Sequence, residues 1–234
     1  MKSLKTKSHR HSTPKAGVLF SGGKDSVYAF HLAKLSAFDV KCLIKLIPSS
    51  NESMMFHYPF TKGIDFEKIL GLPLIEVLIN EDDELDKLKE ALSKAKIQYD
   101  INYVFTGAMD SEYQRMRFNF VCEELGLKTI SPLWRKDQKK MIREQVDVFS
   151  VQVVSITALG LNKELLIKPL DETALNKIYQ SKTVTNKAFE GGEAETLVLD
   201  APEFKYRVLL KDKTISSESE YQHYLKAKLK LMKK

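Results

Sequence analysis

Residues Ser21-Gly22-Gly23-Lys24-Asp25-Ser26 bring the groups that phosphate chemistry needs into one short turn of chain. Gly22 and Gly23 let backbone amides approach an anion with no Cβ in the way. Ser21 and Ser26 add hydroxyl donors, Lys24 a point charge, and Asp25 a carboxylate placed to hold a Mg²⁺ bridging phosphates. Val18-Leu19-Phe20 reads as the end of a strand, and about Asp25 to Ser36 has helical composition. A strand that opens through small residues into a helix aims unpartnered N–H groups and the positive end of a helix dipole at one spot. A Walker A loop on Gly23-Lys24 would need glycine at position 18 and Ser or Thr at position 25, where Val18 and Asp25 stand. The G-x-G-x-x-G of a dinucleotide fold is also missing.

SGGKDS instead resembles the PP-loop of the ATP pyrophosphatases, enzymes that cleave ATP between its α and β phosphates. The resemblance implies a class of chemistry and leaves the substrate open.

The elements around this turn alternate. The reading gives a first strand Ala16 to Phe20, a second Val40 to Ile47, a short helix near Lys62–Leu70, a third strand Leu74 to Ile79, and a helix that begins at the acidic run Glu81 to Glu84. Tyr103-Val104-Phe105 is a fourth strand. Ser111 and Gln114 cap a helix whose Phe118, Val121, Cys122 and Leu125 share one face, stopped by Gly126, and Thr129-Ile130 is a last short strand. Such alternation predicts an α/β fold with a doubly wound parallel sheet of the HUP/PP-loop type over residues 16–134. Ligands then bind beyond the carboxyl ends of the strands, where the 21–26, 47–58 and 106–115 segments meet. Residues 135–234 predict a smaller α+β domain: helices near 137–147 and 171–180, a strand at Val151–Thr157, a strand pair at Thr196–Leu199 and Tyr206–Lys211, and a final helix from Ser217 with Tyr221, Leu225, Leu229 and Met232 on one face.

The 234 residues carry a formal net charge of +6, and that charge is concentrated at the ends. Residues 1–15 hold five basic residues and 226–234 hold five more, with no acids in either; without those ten, 27 basic residues face 31 acidic ones, a body of net charge −4. Residues 1–15 read as a disordered basic tail, the ends as solvated, and no specific nucleic acid is expected as a partner. No apolar run approaches the roughly 20 residues of a membrane span. Two separated cysteines, Cys42 and Cys122, fit a reducing, cytoplasmic setting and offer no disulfide framework or cysteine metal site.

Two further stretches are too polar to be plain connectors. In the segment from Gly107 to Arg117, Arg115 and Arg117 oppose the dipole of the helix they open, as residues meeting anions would. Glu190-Gly191-Gly192-Glu193-Ala194-Glu195-Thr196 packs three carboxylates around a glycine pair, a turn suited to a cation, to ammonia or to Mg²⁺.

SGGKDS, MMFHYP, GAMDSEYQRMRFNFVCEELGL running into SPLW, and EGGEAETLVLDAP together resemble the diphthine–ammonia ligase family, and the short architecture is similar to its archaeal members. The likeness covers about Ala16 to Leu210. Ala194 stands where the family usually has an aromatic residue, and Phe189 where a glycine is common. The resemblance implies an enzyme that amidates diphthine on translation elongation factor 2 with ATP and ammonium, releasing AMP and pyrophosphate. It implies that Ser21, Gly22, Gly23, Lys24 and Ser26 hold the leaving pyrophosphate, that Asp25 coordinates Mg²⁺, and that Gly107 and Arg115 complete the nucleotide site. Glu190, Gly191, Gly192, Glu193 and Glu195 would lie on the acceptor and ammonia side, with Glu112, Tyr113 and Gln114 toward the substrate. Phe56, His57 and Tyr58 either wall the cationic head group or form a structural aromatic cluster. Other readings of the PP-loop are a sulfur-transfer enzyme acting on transfer RNA, a small-metabolite amide ligase, and a non-catalytic ATP-binding module. No glutaminase signature is present, so free ammonium is the expected nitrogen source.

Overall fold

The computed structural model describes residues 13–49, 63–184 and 186–234. Phe56, His57 and Tyr58, most of the 47–58 loop and nearly all of the basic N-terminal tail lie outside the described residues.

Five parallel strands form the first sheet: β1 (Lys15–Leu19), β2 (Asp39–Pro48), β3 (Leu74–Ile79), β4 (Tyr103–Phe105) and β5 (Lys128–Ile130), in the order β3-β2-β1-β4-β5. The second strand buries an almost unbroken apolar run, as expected where helices cover both faces of a parallel sheet. The intervening helices are α1 (Lys24–Leu35), α2 (Phe66–Leu70), α3 (Glu84–Tyr99) and α4 (Glu112–Glu124). On one face, α3 and α4 bury Leu88, Leu92, Phe118 and Val121 against Ile44, Ile75 and Val104. Strand order reverses between β1 and β4, so the loops after these two strands face each other across the crevice where open α/β sheets bind ligands.

The rest of the chain adds α5 (Gln138–Val148), β6 (Ser150–Ile156), α6 (Glu172–Gln180), β7 (Ala194–Asp200), β8 (Tyr206–Ser217) and β9 (His223–Lys233). Its sheet is antiparallel with the order β7-β6-β9-β8. Asp137 and Asp171 cap α5 and α6 by accepting N–H bonds from Lys140 and Ala174, each at 2.8 Å. The two sheets share one apolar cluster: Val18, Phe20, Val27 and Phe30 pack with Met141, Ile142, Val153, Leu197 and Val198.

Two expectations fail in this half. The stretch from Ser217 expected to be a closing helix is instead the turn and second strand, β9, of the β8–β9 hairpin. Tyr221, Leu225, Leu229 and Met232 mimic a helical stripe, but from Leu225 to Leu231 apolar residues and lysines alternate strictly, and that period of two sets the strand. The segments 196–199 and 206–211 share a sheet without pairing, because β6 and β9 lie between β7 and β8. It also follows that the basic C-terminal end belongs to an ordered strand.

Candidate active site

The loop 20–23 leaves β1 and turns directly into α1. Gly22 takes φ +86°, the left-handed region open to glycine, and a Cβ there would come within 2.4 Å of the Phe66 ring. The loop's hydroxyls hold its own amides in place. Ser21 N–H donates to Ser26 Oγ at 3.1 Å, Gly23 N–H donates to Ser21 Oγ at 3.2 Å, and Ser26 Oγ donates to the Gly23 carbonyl at 3.0 Å.

Strand β7 closes the loop from the other sheet. Lys24 N–H, the first amide of α1, donates to Thr196 Oγ1 at 3.2 Å, and Val198 N–H donates to the Gly22 carbonyl at 3.0 Å. No side chain of the preceding residues caps α1, so Thr196 satisfies a donor that the helix leaves open. From β4 comes Gly107: a Cβ there would lie 2.8 Å from the Asp25 carbonyl carbon and the Ser26 nitrogen. Only a glycine lets these two loops touch.

At the junction sits a buried charged cluster. Lys24, 2% exposed, reaches Asp25 Oδ2 at 2.5 Å and Glu190 Oε1 at 3.8 Å. Burial disfavours the Lys24 ammonium, but Asp25 and Glu190 outweigh it, with a smaller contribution from Glu195, and the net shift is upward. The Glu190 carboxyl is pushed up to about 8, first by burial and then by the charge of Asp25, against the opposing pull of Lys24. Gln145, fully buried on α5, donates Nε2–H to Asp25 Oδ1 at 2.8 Å, while its own Oε1 has no hydrogen-bond partner. Asp110 adds to the upward shift of Glu190 and accepts from Gln138 Nε2 at 2.7 Å.

The structure thus brings together the 21–26 loop, Gly107, Glu190 and Glu195. The remaining residues singled out from the sequence are engaged more locally. Glu193 turns back on its own loop and accepts from Gly191 N–H at 2.9 Å, and the Gly192 carbonyl accepts from the Thr157 hydroxyl. Glu112 pairs with Arg115 at 3.6 Å and Arg135 at 3.4 Å. The Arg115 guanidinium lies 4.6 Å over the Trp134 ring with its Nε buried and lacking a hydrogen bond, and Arg117 stacks on Tyr113. Gln114 donates its backbone N–H to Ser111 Oγ, the cap of α4. Phe189 adopts φ +67°, a left-handed conformation, at the position where the family pattern commonly has glycine. Thr196, Gln145, Gln138 and Asp110 were not singled out from the sequence. Asp110 and Thr196 lie within the two stretches already marked as polar, whereas nothing local marks Gln138 or Gln145.

Cys42 on β2 and Cys122 on α4 are free and buried. Burial pushes the Cys42 thiol up to about 12 and raises that of Cys122, so neither is a ready nucleophile. Among the described residues, no helix is long and apolar enough to cross a membrane.

Family models place the chain in two consecutive pieces. The diphthamide synthase N-terminal domain matches residues 14–129 and the diphthamide synthase C-terminal domain matches 137–232. A Schizosaccharomyces pombe protein named diphthine–ammonia ligase is 33% identical over 90% of this chain, which spans 38% of that protein's length. A human protein of the same name is 30% identical, covering 84% of this chain and 82% of the relative. A solved structure titled as a predicted subunit of tRNA methyltransferase from Methanocaldococcus jannaschii is 18% identical, covers 80% of this chain and 98% of that one, and has a TM-score of 0.44. With both matched pieces covering nearly all of its length, and a relative of comparable size at 30% identity, this chain belongs to the diphthamide synthase family.

Proposed function

We propose that this chain converts the carboxylate of diphthine on translation elongation factor 2 into the amide of diphthamide, using ATP and ammonium and releasing AMP and pyrophosphate. The observation that carries this reading is the junction of the 21–26 loop with the acidic turn, where Lys24, Asp25 and Glu190 meet in a buried cluster.

A carboxylate does not accept an amine in water until one of its oxygens becomes a leaving group. In the first step a carboxylate oxygen attacks the α-phosphorus of ATP, the bond to the bridging oxygen breaks, and pyrophosphate departs. Ser21, Gly22, Gly23, Lys24 and Ser26 hold the departing phosphates, aligning the attack and stabilising the charge that develops. In the second step ammonia attacks the acyl carbon and AMP leaves. Glu190, whose carboxyl changes charge near pH 8, is matched to taking the proton that the incoming ammonium gives up. Glu195, close enough to influence Lys24, adds negative charge that favours cations on this side.

The residues present also suit a Mg²⁺ ion. Among the described residues no group of three or more His, Cys, Asp or Glu forms a protein cage, and Mg²⁺ is commonly held by one or two carboxylates together with substrate phosphates. Asp25, beside the phosphate loop, would hold it, and the ion would neutralise phosphate charge there. Gly107 and Arg115 border the nucleotide, and Glu112, Tyr113, Gln114, Gly191, Gly192 and Glu193 face the approach of the acceptor protein.

The test is the purified protein with ATP, Mg²⁺, ammonium and diphthine-bearing elongation factor. The expected products are AMP and a factor whose mass has changed by the exchange of OH for NH₂. ADP as product, or AMP formed regardless of the factor, overturns the assignment. Asp25→Asn is expected to abolish turnover with the fold intact. Glu195→Gln is expected to keep ATP binding and lose amidation.

A further inference from the structure

The β8–β9 hairpin presents two unlike faces. Side chains alternate along a strand, so Leu225, Ala227, Leu229 and Leu231 point one way and Lys226, Lys228 and Lys230 the other. On the apolar side Val208 and Leu225 enter the core, with Leu210 and Leu231 packed against it. On the other side the register sets Thr214 opposite Lys226, Lys211 opposite Lys228, Leu209 opposite Lys230 and Arg207 opposite Met232.

Lys211, Lys226, Lys228 and Lys230 are all exposed. Same-face lysines on one strand stand about 6.8 Å apart, and the two strands about 4.8 Å. Lys211 directly faces Lys228, and like charges opposite one another destabilise a sheet. Asp212 pairs with Lys228 at 2.8 Å, and Asp200 with Arg207 at 2.7 Å. Among the described residues no ion pair joins Lys211, Lys226 or Lys230 to a carboxylate. The hairpin therefore holds an ordered array of cations whose mutual repulsion an anionic partner would relieve.

The composition of the face selects among anions. Protein–protein interfaces are built on aromatic and apolar anchors and are depleted in lysine, whereas four lysines dominate this face beside Leu209 and Met232. Single-stranded nucleic acids are bound by several aromatic side chains that stack on successive bases; on this face Tyr224 stands at the end of the row beyond Lys226, and no ring lies between the lysines. Interfaces with double-helical nucleic acid are strongly positive and are anchored on phosphates. We propose that this face binds the phosphate backbone of double-helical nucleic acid without reading its sequence.

The experiment is fluorescence anisotropy with a short labelled duplex RNA and the matching duplex DNA, titrated over a range of salt. Single-stranded RNA and a polyglutamate peptide serve as comparisons. The full chain is expected to bind both duplexes more tightly than either comparison, with affinity falling steeply as salt rises. Replacing Lys211, Lys226, Lys228 and Lys230 together by Gln removes three cations without an acidic partner and the Asp212-paired Lys228, so the log–log salt slope flattens by about 2.7 to 3.6 and low-salt affinity falls by an order of magnitude or more. Replacing the same four by Arg keeps binding. Lys226→Gln alone flattens the slope by about 0.9, which supplies the test should the fourfold variant fail to fold. Duplex binding unchanged in the Gln variants would place the contact elsewhere and overturn the proposal. So would polyglutamate or single-stranded RNA binding as tightly as duplex.

Discussion

Gly107→Ala tests whether the phosphate loop depends on direct contact between the ends of β1 and β4. The added methyl would sit 2.8 Å from the Asp25 carbonyl carbon and the Ser26 nitrogen. Both are backbone atoms, so no side chain can rotate away. Restoring an ordinary 3.4 Å contact from 2.8 Å requires a separation of 0.6 Å between the loops. Overpacking of this kind costs about 1–3 kcal/mol of stability. A displacement near 1 Å at a reacting centre costs roughly a hundredfold in rate, so AMP formation is expected to fall by about ten- to a hundredfold. The control is Gly126→Ala, at the left-handed position (φ +63°) that follows α4. That change costs about 1 kcal/mol through backbone strain without touching the phosphate loop. Melting temperatures and rates of AMP formation are measured for both variants. The expected result is a comparable loss of melting temperature in each, with turnover lost in Gly107→Ala alone. Turnover within twofold of the parent in Gly107→Ala, or equal losses in the two variants, would refute the reasoning.

Other perturbations probe the cluster around Lys24. Because the folded state holds the Glu190 carboxyl at about 8, above its ordinary value of 4.5, its contribution to stability is fully present below pH 4.5 and is lost as pH rises through 8. Melting temperature should therefore decline across that window, and Glu190→Gln should flatten the decline; identical pH profiles would remove Glu190 from this role. Gln145→Leu removes both the bond to Asp25 and the unpartnered Oε1, so stability should hold or rise while turnover drops about tenfold through the loss of a hydrogen bond to a charged group. Unchanged turnover would mean that Gln145 does not position Asp25. Thr196→Val should weaken ATP binding by about two- to tenfold, as expected for one hydroxyl bond, and Thr196→Ser should restore it. Equal ATP affinity in the parent and the Val variant would show that the loop keeps its shape without that cap.

The first half of the fold was legible because its signals are local. Most of the parallel strands are short apolar runs, α2 and α4 carry their own capping residues in Asp65 and Ser111, and the alternation of strands and helices leaves few ways to wind the sheet. The strand Leu74–Ile79, for instance, has the bounds that its composition predicts. The SGGKDS turn is equally local, since neighbouring residues supply its strand end, glycines, hydroxyls and helix start. The closing strand β9 carries two overlapping periods, and its sequence predicts a helix. Spacings of four among Tyr221, Leu225 and Leu229 outweighed the alternation of lysines with apolar residues, although only the alternation matches a sheet with one face on the core.

What the sequence by itself determined is the chemistry available: a glycine-rich strand-to-helix turn with Lys24 and Asp25, an acidic glycine turn, and the order in which they arrive. Tertiary structure alone decided which of those groups meet. Glu190 reaches Lys24, Thr196 caps α1, and Gln145 holds Asp25 because β7 and α5 pack on the same face as the first helix. Glu193 and Glu112 were as plausible as Glu190 on composition, yet one folds back on its own turn and the other pairs with surface arginines. The physical reason is that a carboxylate's role depends on its burial and on the charges around it, and both are set by packing between segments far apart in the chain.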